Sequence, residues 1–397
     1  MAWRNTQVEH QRENFITACL ESKSTISDLC REFGVSRKTG YKWLSRFKNG
    51  GAAELKDRCR TRHTQPLKTT EELTQKVIQL KRRYLKWGPK KIVAFLEQNQ
   101  PLESWPSATT VGRILSEHDL TIPRKYRRRF PAKSDPLSHS QQPNDVWCID
   151  FKGWFKTKDN VKCDPMTLTD SYSRFLLYCS KLGANTVDHV WSSLDKAFHQ
   201  YGLPRYLRHD NGPPFATNGA GRLSRLSVNL IKAGVIPEWI EPGKPYQNGR
   251  HERMHLTLKE EGVFPLKLTL KEQQMKFMEF QQYFNLERPH EALGQKTPAS
   301  IYLPSERVWT GQLHSPEYSQ DYQAKRVRGS GTISLLGMDI FIGKTLEDEY
   351  VGLKENTDGN WEVYFGPVFL GTIDQEKRLI QPTQKTREKG KYTQRIF

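Results

Sequence analysis

Three acidic residues of this 397-residue chain, Asp150, Asp210 and Glu252, stand in surroundings that suit metal-binding carboxylates. The first interrupts an apolar, β-branched and aromatic run of strand length, Val146-Trp-Cys-Ile-Asp150-Phe-Lys-Gly-Trp-Phe155. A carboxylate buried in a central strand costs several kcal/mol unless a cation or hydrogen-bond donors compensate it, so this acid needs a partner. The second closes a short strand that runs into a Gly/Pro turn, Arg205-Tyr-Leu-Arg-His-Asp210-Asn-Gly-Pro-Pro-Phe215. Carboxyl ends of strands are where open α/β sheets place their ligands. The third lies where a turn-rich loop enters a helical pattern, Pro242-Gly-Lys-Pro-Tyr-Gln-Asn-Gly-Arg-His-Glu252-Arg. Met254 and Leu258 mark one side of that helix, and Glu252 and Lys259 project elsewhere.

Three carboxylates brought together form a hard oxygen cage for Mg²⁺ or Mn²⁺, and no neighbouring Cys/His spacing suits zinc. The expected chemistry is phosphoryl transfer. Two such ions about 3.5–4 Å apart activate an attacking oxygen and stabilise the leaving one.

Three phrases in order, Asp210-Asn-Gly-Pro-Pro-Phe215, Pro242 to Arg253, and Arg288-Pro-His-Glu-Ala-Leu-Gly294 followed by Thr297-Pro298, resemble the catalytic core of the DDE transposase and retroviral-type integrase superfamily. Among its members the chain looks most like bacterial insertion-sequence transposases of the IS481 and IS3 type, closely over residues 143–303. The resemblance implies an RNase H-like core in which Asp150, Asp210 and Glu252 are catalytic and bind two Mg²⁺, with Mn²⁺ able to substitute. It also implies double-stranded DNA as partner, both the element's terminal inverted repeats and the target, cut and joined by a homo-oligomer that is at least a dimer. The stretch from Asp210 to Glu252 is longer than usual for the superfamily, and the excess falls at Thr217-Asn-Gly-Ala-Gly-Arg-Leu223, a loop. A DNA-binding regulator on a core that does not cut is the alternative; all three acids being present disfavours it.

Composition agrees with a polyanionic partner. The formal net charge is +18, and residues 1–140 hold 28 Lys and Arg against 14 Asp and Glu. No apolar run approaches the ~18 residues of a membrane span and no signal peptide opens the chain, so a cytoplasmic, nucleoid-associated bacterial protein with no membrane partner is expected. The six cysteines lack paired spacing and read as free thiols.

The elements that must position the acids form a multidomain α/β chain. Residues 1–52 read as a helix-turn-helix domain, with Gly34 at the turn, Ser36 as a cap, and Arg37, Lys38, Thr39, Lys42 and Arg46 on the outer side of the third helix for DNA. A basic linker (53–67) precedes a second helix-turn-helix or winged-helix-like unit (68–123). Another basic linker (124–142) carries Arg124, Lys125, Arg127, Arg128 and Arg129 as DNA contacts.

The RNase H-like core (143–303) is expected to hold a mixed five-stranded sheet with helices: strands at 145–153, 161–170 and 174–180, a helix at 186–201, a strand at 204–209, a helix at 222–234 and a strand at 235–240. Around Glu252, the residues Lys244, Asn248, Arg250, His251, Arg253, His255 and Lys259 are expected to grip DNA. Glu260 and Glu261 are expected to face solvent. A helical stripe from Leu270 to Tyr283 closes the core, and a linker (304–328) follows. Alternating runs from Gly331 to Ile373 predict a small SH3-like β-barrel (329–376) before a basic tail (377–397).

Overall fold

The computed structural model describes residues 8–21, 24–58, 68–121 and 140–381. Two compact units divide it, Met1–Thr70 and Glu71–Phe397. In the first, α1 (Val8–Glu21), α2 (Ile26–Glu32) and α3 (Arg37–Gly50) enclose Phe15, Ile16, Leu29, Cys30, Trp43 and Leu44. Gly34 takes φ +67° at the turn, where a side chain is strained. Ser36 Oγ then accepts from Thr39 N at 3.2 Å and caps α3. Gly40 lets α3 approach closely: a Cβ there would stand 2.9 Å from Phe15 Cζ. This is the helix-turn-helix read from the sequence.

The second unit begins with another three-helix module, α4 (Glu71–Arg83), α5 (Pro89–Asn99) and α6 (Ala108–Glu117), packed around Val77, Trp87, Ile92, Val111 and Leu115. It is fastened to the core. Tyr84 stacks on Trp87 at 4.0 Å and on Tyr283 at 5.6 Å. The Trp87 indole donates to Tyr283 Oη at 2.6 Å, Tyr84 donates to Glu287, and Lys91 Nζ donates to Pro289 O at 2.6 Å. Burying the Tyr84 and Trp87 rings against the core anchors the module through large apolar area as well as these bonds.

The core strands are β1 (Val146–Phe151), a short hairpin of β2 (Phe155–Lys156) and β3 (Lys162–Cys163), β4 (Pro165–Asp170), β5 (Leu176–Lys181), β6 (Tyr206–His209) and β7 (Ile236–Trp239). The five-stranded sheet runs β5-β4-β1-β6-β7, antiparallel from β5 to β1 and parallel from β1 to β7. The run expected at 161–170 is therefore two strands, broken at Asp164. One face, with Trp147, Ile149, Met166 and Leu168, packs on α7 (Val187–Tyr201) and α8 (Arg225–Lys232) through Val190, Leu194, Phe198, Leu226 and Leu230. The other packs on α9 (Gly249–Thr257) and α10 (Leu270–Gln282) through Leu176, Cys179, Met254, Phe277 and Phe280. Strand alternation thus sends Thr167 and Thr169 toward α9 while Met166 and Leu168 face α7 and α8.

A nearly closed seven-stranded barrel-like sheet follows: β8 (Gln323–Arg326), β9 (Thr332–Leu335), β10 (Met338–Phe341), β11 (Tyr350–Glu355), β12 (Trp361–Phe365), β13 (Val368–Asp374) and β14 (Leu379–Gln381). Its ends depart from the sequence reading. β8 rises out of the stretch read as linker and β14 out of the basic tail, because both are short and β8 has only Ala324 among polar residues; they gain strand geometry by pairing with β11 and with β13 and β10. The barrel core is shared with α8 through Val228 and Ile231, and Lys232 pairs with Glu349 at 2.6 Å. Cys19, Cys30, Cys148, Cys163 and Cys179 are free thiols. Among the described residues no helix is long and apolar enough to cross a membrane.

Candidate active site

β1 and β6 are parallel neighbours with Cys148 level with Arg208, so Asp150, near the end of β1, and Asp210, just past the end of β6, come side by side at the carboxyl edge. Glu252 sits exposed on α9. The three share one electrostatic environment. Burial, then the charge of Asp210, then that of Glu252 push Asp150 up to about 7; its own Phe151 N–H, donating to Oδ1 at 2.8 Å, and Lys152 pull the other way. Asp210 is raised by burial and lowered by the Gly212 N–H, which donates to Oδ1 at 3.2 Å. A Cβ at Gly212 would stand 3.2 Å from Asp210 Oδ2, so glycine keeps that oxygen uncrowded.

These carboxylates fit a divalent cation in donor type and charge: hard oxygens whose mutual repulsion a cation relieves. Asp150 feels the charges of the other two, but the three do not close a shell: among the described residues no three or more His, Cys, Asp and Glu side chains are gathered to hold an ion.

α9 is held to the sheet by hydrogen bonds whose protons can be assigned. Thr167 Oγ1 lies 2.8 Å from His251 Nε2, 2.7 Å from His255 Nε2 and 3.2 Å from Asp150 O; Thr169 Oγ1 lies 2.7 Å from His251 Nδ1. A hydroxyl has one donor and two acceptor sites. Thr167 donates to Asp150 O and accepts an Nε2–H from each histidine, and Thr169 donates to His251 Nδ1. Both hydroxyls, both Nε2 atoms and His251 Nδ1 are satisfied with neutral rings, and His255 Nδ1 is left 4.0 Å from Asp150 Oδ2. Burial lowers both histidines, His255 to about 3 with the charge of Lys152 adding to it. The same hydroxyl therefore touches the backbone of Asp150 and the helix bearing Glu252.

The loop before α9 is braced as well. Arg208 pairs with Glu238 at 2.6 Å and donates to Gln247 O at 3.2 Å, while Gln247 Oε1 accepts from Glu241 N at 2.8 Å. His209 is buried between Phe215 and Trp239, donates to Asp210 O at 2.8 Å, and is lowered to about 4 by burial. It supports the strand end.

Several expected DNA contacts lie elsewhere. Asn248, His251 and His255 are buried, so these side chains face the protein and not a nucleic acid. The reason is the α-helical period: positions 251 and 255 share the face that meets β4. Lys244 is turned to Glu241 at 2.8 Å. Arg250, Arg253 and Lys259 are exposed. Arg37, Lys38 and Lys42 are exposed on α3, with Thr39 half-buried and Arg46 stacked on Trp43 at 4.8 Å. Arg124, Lys125, Arg127, Arg128 and Arg129 lie outside the described residues. Glu261, expected in solvent, pairs with Arg288 at 2.9 Å and is largely buried. Sequence reasoning missed Thr167, Thr169 and Lys152; two threonines at period two beside two histidines at period four were the available signal.

Comparison with known proteins agrees along the chain. Two integrase core domain models match residues 140–245 and 233–298, a helix-turn-helix domain matches 11–63, a homeodomain-like domain matches 39–115, and the IS481 family transposase C-terminal domain matches 322–381. An uncharacterized 39.2 kDa protein of insertion element IS476 from Xanthomonas euvesicatoria is 25% identical over 242 residues, covering 59% of this chain and 66% of the relative. The transposase for transposon Tn552 of Staphylococcus aureus is 21% identical over 269 residues, covering 62% of this chain and 55% of the relative. The magnesium-bound HTLV-2 integrase catalytic core matches at 18% identity and TM-score 0.33, over 41% of this chain and 99% of that one. The chain thus carries regions similar to helix-turn-helix domains, to the integrase core domain and to the C-terminal domain of IS481 family transposases, and over about 60% of its length it is similar to insertion-element and transposon proteins.

Proposed function

We propose that this protein is a DDE transposase that binds the terminal inverted repeats of an insertion sequence, cleaves a phosphodiester at each end, and transfers the resulting 3′-hydroxyls into target DNA. The observation that carries the reading is the parallel pairing of β1 with β6, which brings Asp150 beside Asp210, with Glu252 on the helix packed against the same sheet. Asp150, Asp210 and Glu252 would hold two Mg²⁺ or Mn²⁺, which when bound supply activation of the attacking oxygen and stabilisation of the leaving one.

The chain's own residues do the rest. Asp150 is fixed on a central strand, Asp210 at the end of its parallel neighbour, and the Thr167 clamp holds the helix that bears Glu252 to the same sheet, a preorganisation that lowers the cost of assembling the site. Lys152 and Lys259 line the same edge with positive charge for the scissile strand. Arg37, Lys38, Thr39, Lys42 and Arg46 on α3 read the repeat in the major groove. Joining two element ends in one event calls for at least a dimer, and the substrate places the protein with the nucleoid.

Purified protein with Mg²⁺ and a duplex carrying the element's ends is expected to nick that duplex. Asp150→Ala, Asp210→Ala and Glu252→Ala should each abolish nicking while DNA binding persists; undiminished nicking in all three ends the proposal.

A further inference from the structure

Beside the carboxylates, two arginines are held together without an acid between them. Arg174, at φ +66° in the turn between β4 and β5, donates through Nη1 to Ser171 O. Arg250, in the first turn of α9, donates through its own Nη1 to the same oxygen at 3.1 Å. One main-chain carbonyl is a poor counter-ion for two guanidiniums, each of which has five N–H donors.

The nearby acids are committed elsewhere. Asp170 accepts from Asn144 N at 2.8 Å through Oδ1, and from Ser173 N at 2.7 Å and Ser173 Oγ at 2.6 Å through Oδ2. Glu261 is taken by Arg288 and Glu291 by Lys90 at 3.1 Å. Burial and the charge of Arg250 lower Arg174 to about 10, a sign that the two cations repel. Further positive charge lies nearby in Lys91 and Arg288: with burial first, their charges and that of Arg174 hold His290 neutral, and its Nε2 is buried with no partner among the described residues.

We propose that Arg174 and Arg250 form a seat for one backbone phosphodiester of DNA, holding a non-reacting phosphate on the flank of α9, two residues from Glu252. The geometry supplies what such a ligand uses: two guanidiniums brought together at Ser171, Arg250 exposed and Arg174 half-buried, whose other nitrogens have no hydrogen-bond partner among the described residues and are left for a phosphate beside that carbonyl. A duplex phosphate there supplies the missing negative charge. The seat joins the β4–β5 turn to the helix bearing the third carboxylate, so filling it ties DNA to that helix.

The inference rests on the proposed action on DNA, and its test separates the two. Binding of the full chain to a fluorescent random-sequence duplex is measured by anisotropy in EDTA across a series of NaCl concentrations. Each lost phosphate contact should flatten the slope of log K against log[salt] by ~0.9. Arg250→Gln, at an exposed position, is expected to show that flattening, and Arg174→Gln the same. Arg250→Lys and Arg174→Lys, which keep the charge, should recover most of the slope, a rescue that a merely structural role would not give. An unchanged slope in Arg250→Gln, or Lys variants no better than Gln, overturns the seat. If that happens while Asp210→Ala still abolishes nicking, only this inference falls. If the wild type binds no DNA, both fall.

Discussion

Thr167→Val removes one buried hydroxyl while keeping the side chain's volume, and three contacts go with it. The histidine donors at 2.8 and 2.7 Å are left buried and unpaired, since both rings lie under the sheet with His251 only 1% exposed. An orphaned buried donor costs roughly 1–3 kcal/mol, so two cost about 2–6 kcal/mol, from which burying an extra methyl returns less than ~1 kcal/mol. A net loss of about 3 kcal/mol is expected. Thr169→Val makes the internal comparison: it leaves one acceptor, His251 Nδ1, and should cost about 1–2 kcal/mol.

The assay is urea unfolding of the full chain followed by tryptophan fluorescence, with the core transition separated from that of the N-terminal unit. Nicking by Thr167→Val, measured where the protein is still folded, should fall by at least tenfold, because Glu252 then sits on a helix loosened from β4. If the two valine variants cost the same, or if Thr167→Val loses under ~0.5 kcal/mol, the assigned proton pattern is wrong and the clamp is a packing contact only.

Two further outcomes follow from buried charge. Asp150→Asn should raise metal-free stability at pH 8 by roughly 2–4 kcal/mol, because a carboxyl raised from 3.8 to about 7 is ionised there against its surroundings. The folded state binds this proton more tightly than the unfolded one. Its contribution is therefore present below about pH 4 and lost as pH rises through about 7; the stability difference between wild type and variant, followed by thermal melts in EDTA, should widen across that window and shrink on adding Mg²⁺. Glu261→Gln leaves Arg288 without its acid at a site where both side chains are nearly buried, and should destabilise the core by about 3–5 kcal/mol in chemical denaturation.

What the sequence disclosed, it disclosed through short-range chemistry. An acid inside Val-Trp-Cys-Ile-Asp150-Phe is out of place in a buried strand, and Asn211-Gly212 after Asp210 is a turn; both facts are local and both acids meet in the folded core. The order of core strands and helices was likewise carried by hydrophobic period. What stayed hidden depends on partners far along the chain. Nothing near His251 announces Thr167, and nothing near Glu261 announces Arg288. Glu-rich and His-rich helix positions look solvated until the facing strand is known. The edge strands β8 and β14 were missed for a related reason: their strand character comes from neighbours that complete the sheet.

The aromatic fastening of the second helical module has a geometric consequence for the DNA. With Tyr84 and Trp87 stacked on Tyr283, the α4–α6 bundle and the carboxylate edge move as one piece. Under the proposed action on DNA, base pairs gripped by that bundle would be registered to the cut by the protein's own dimensions, as the jaws of a caliper fix a gap. Inserting or deleting even one base pair between them would then shift the scissile phosphate by ~3.4 Å and turn it about the duplex axis, so that the position of the cut would be measured in ångströms of protein.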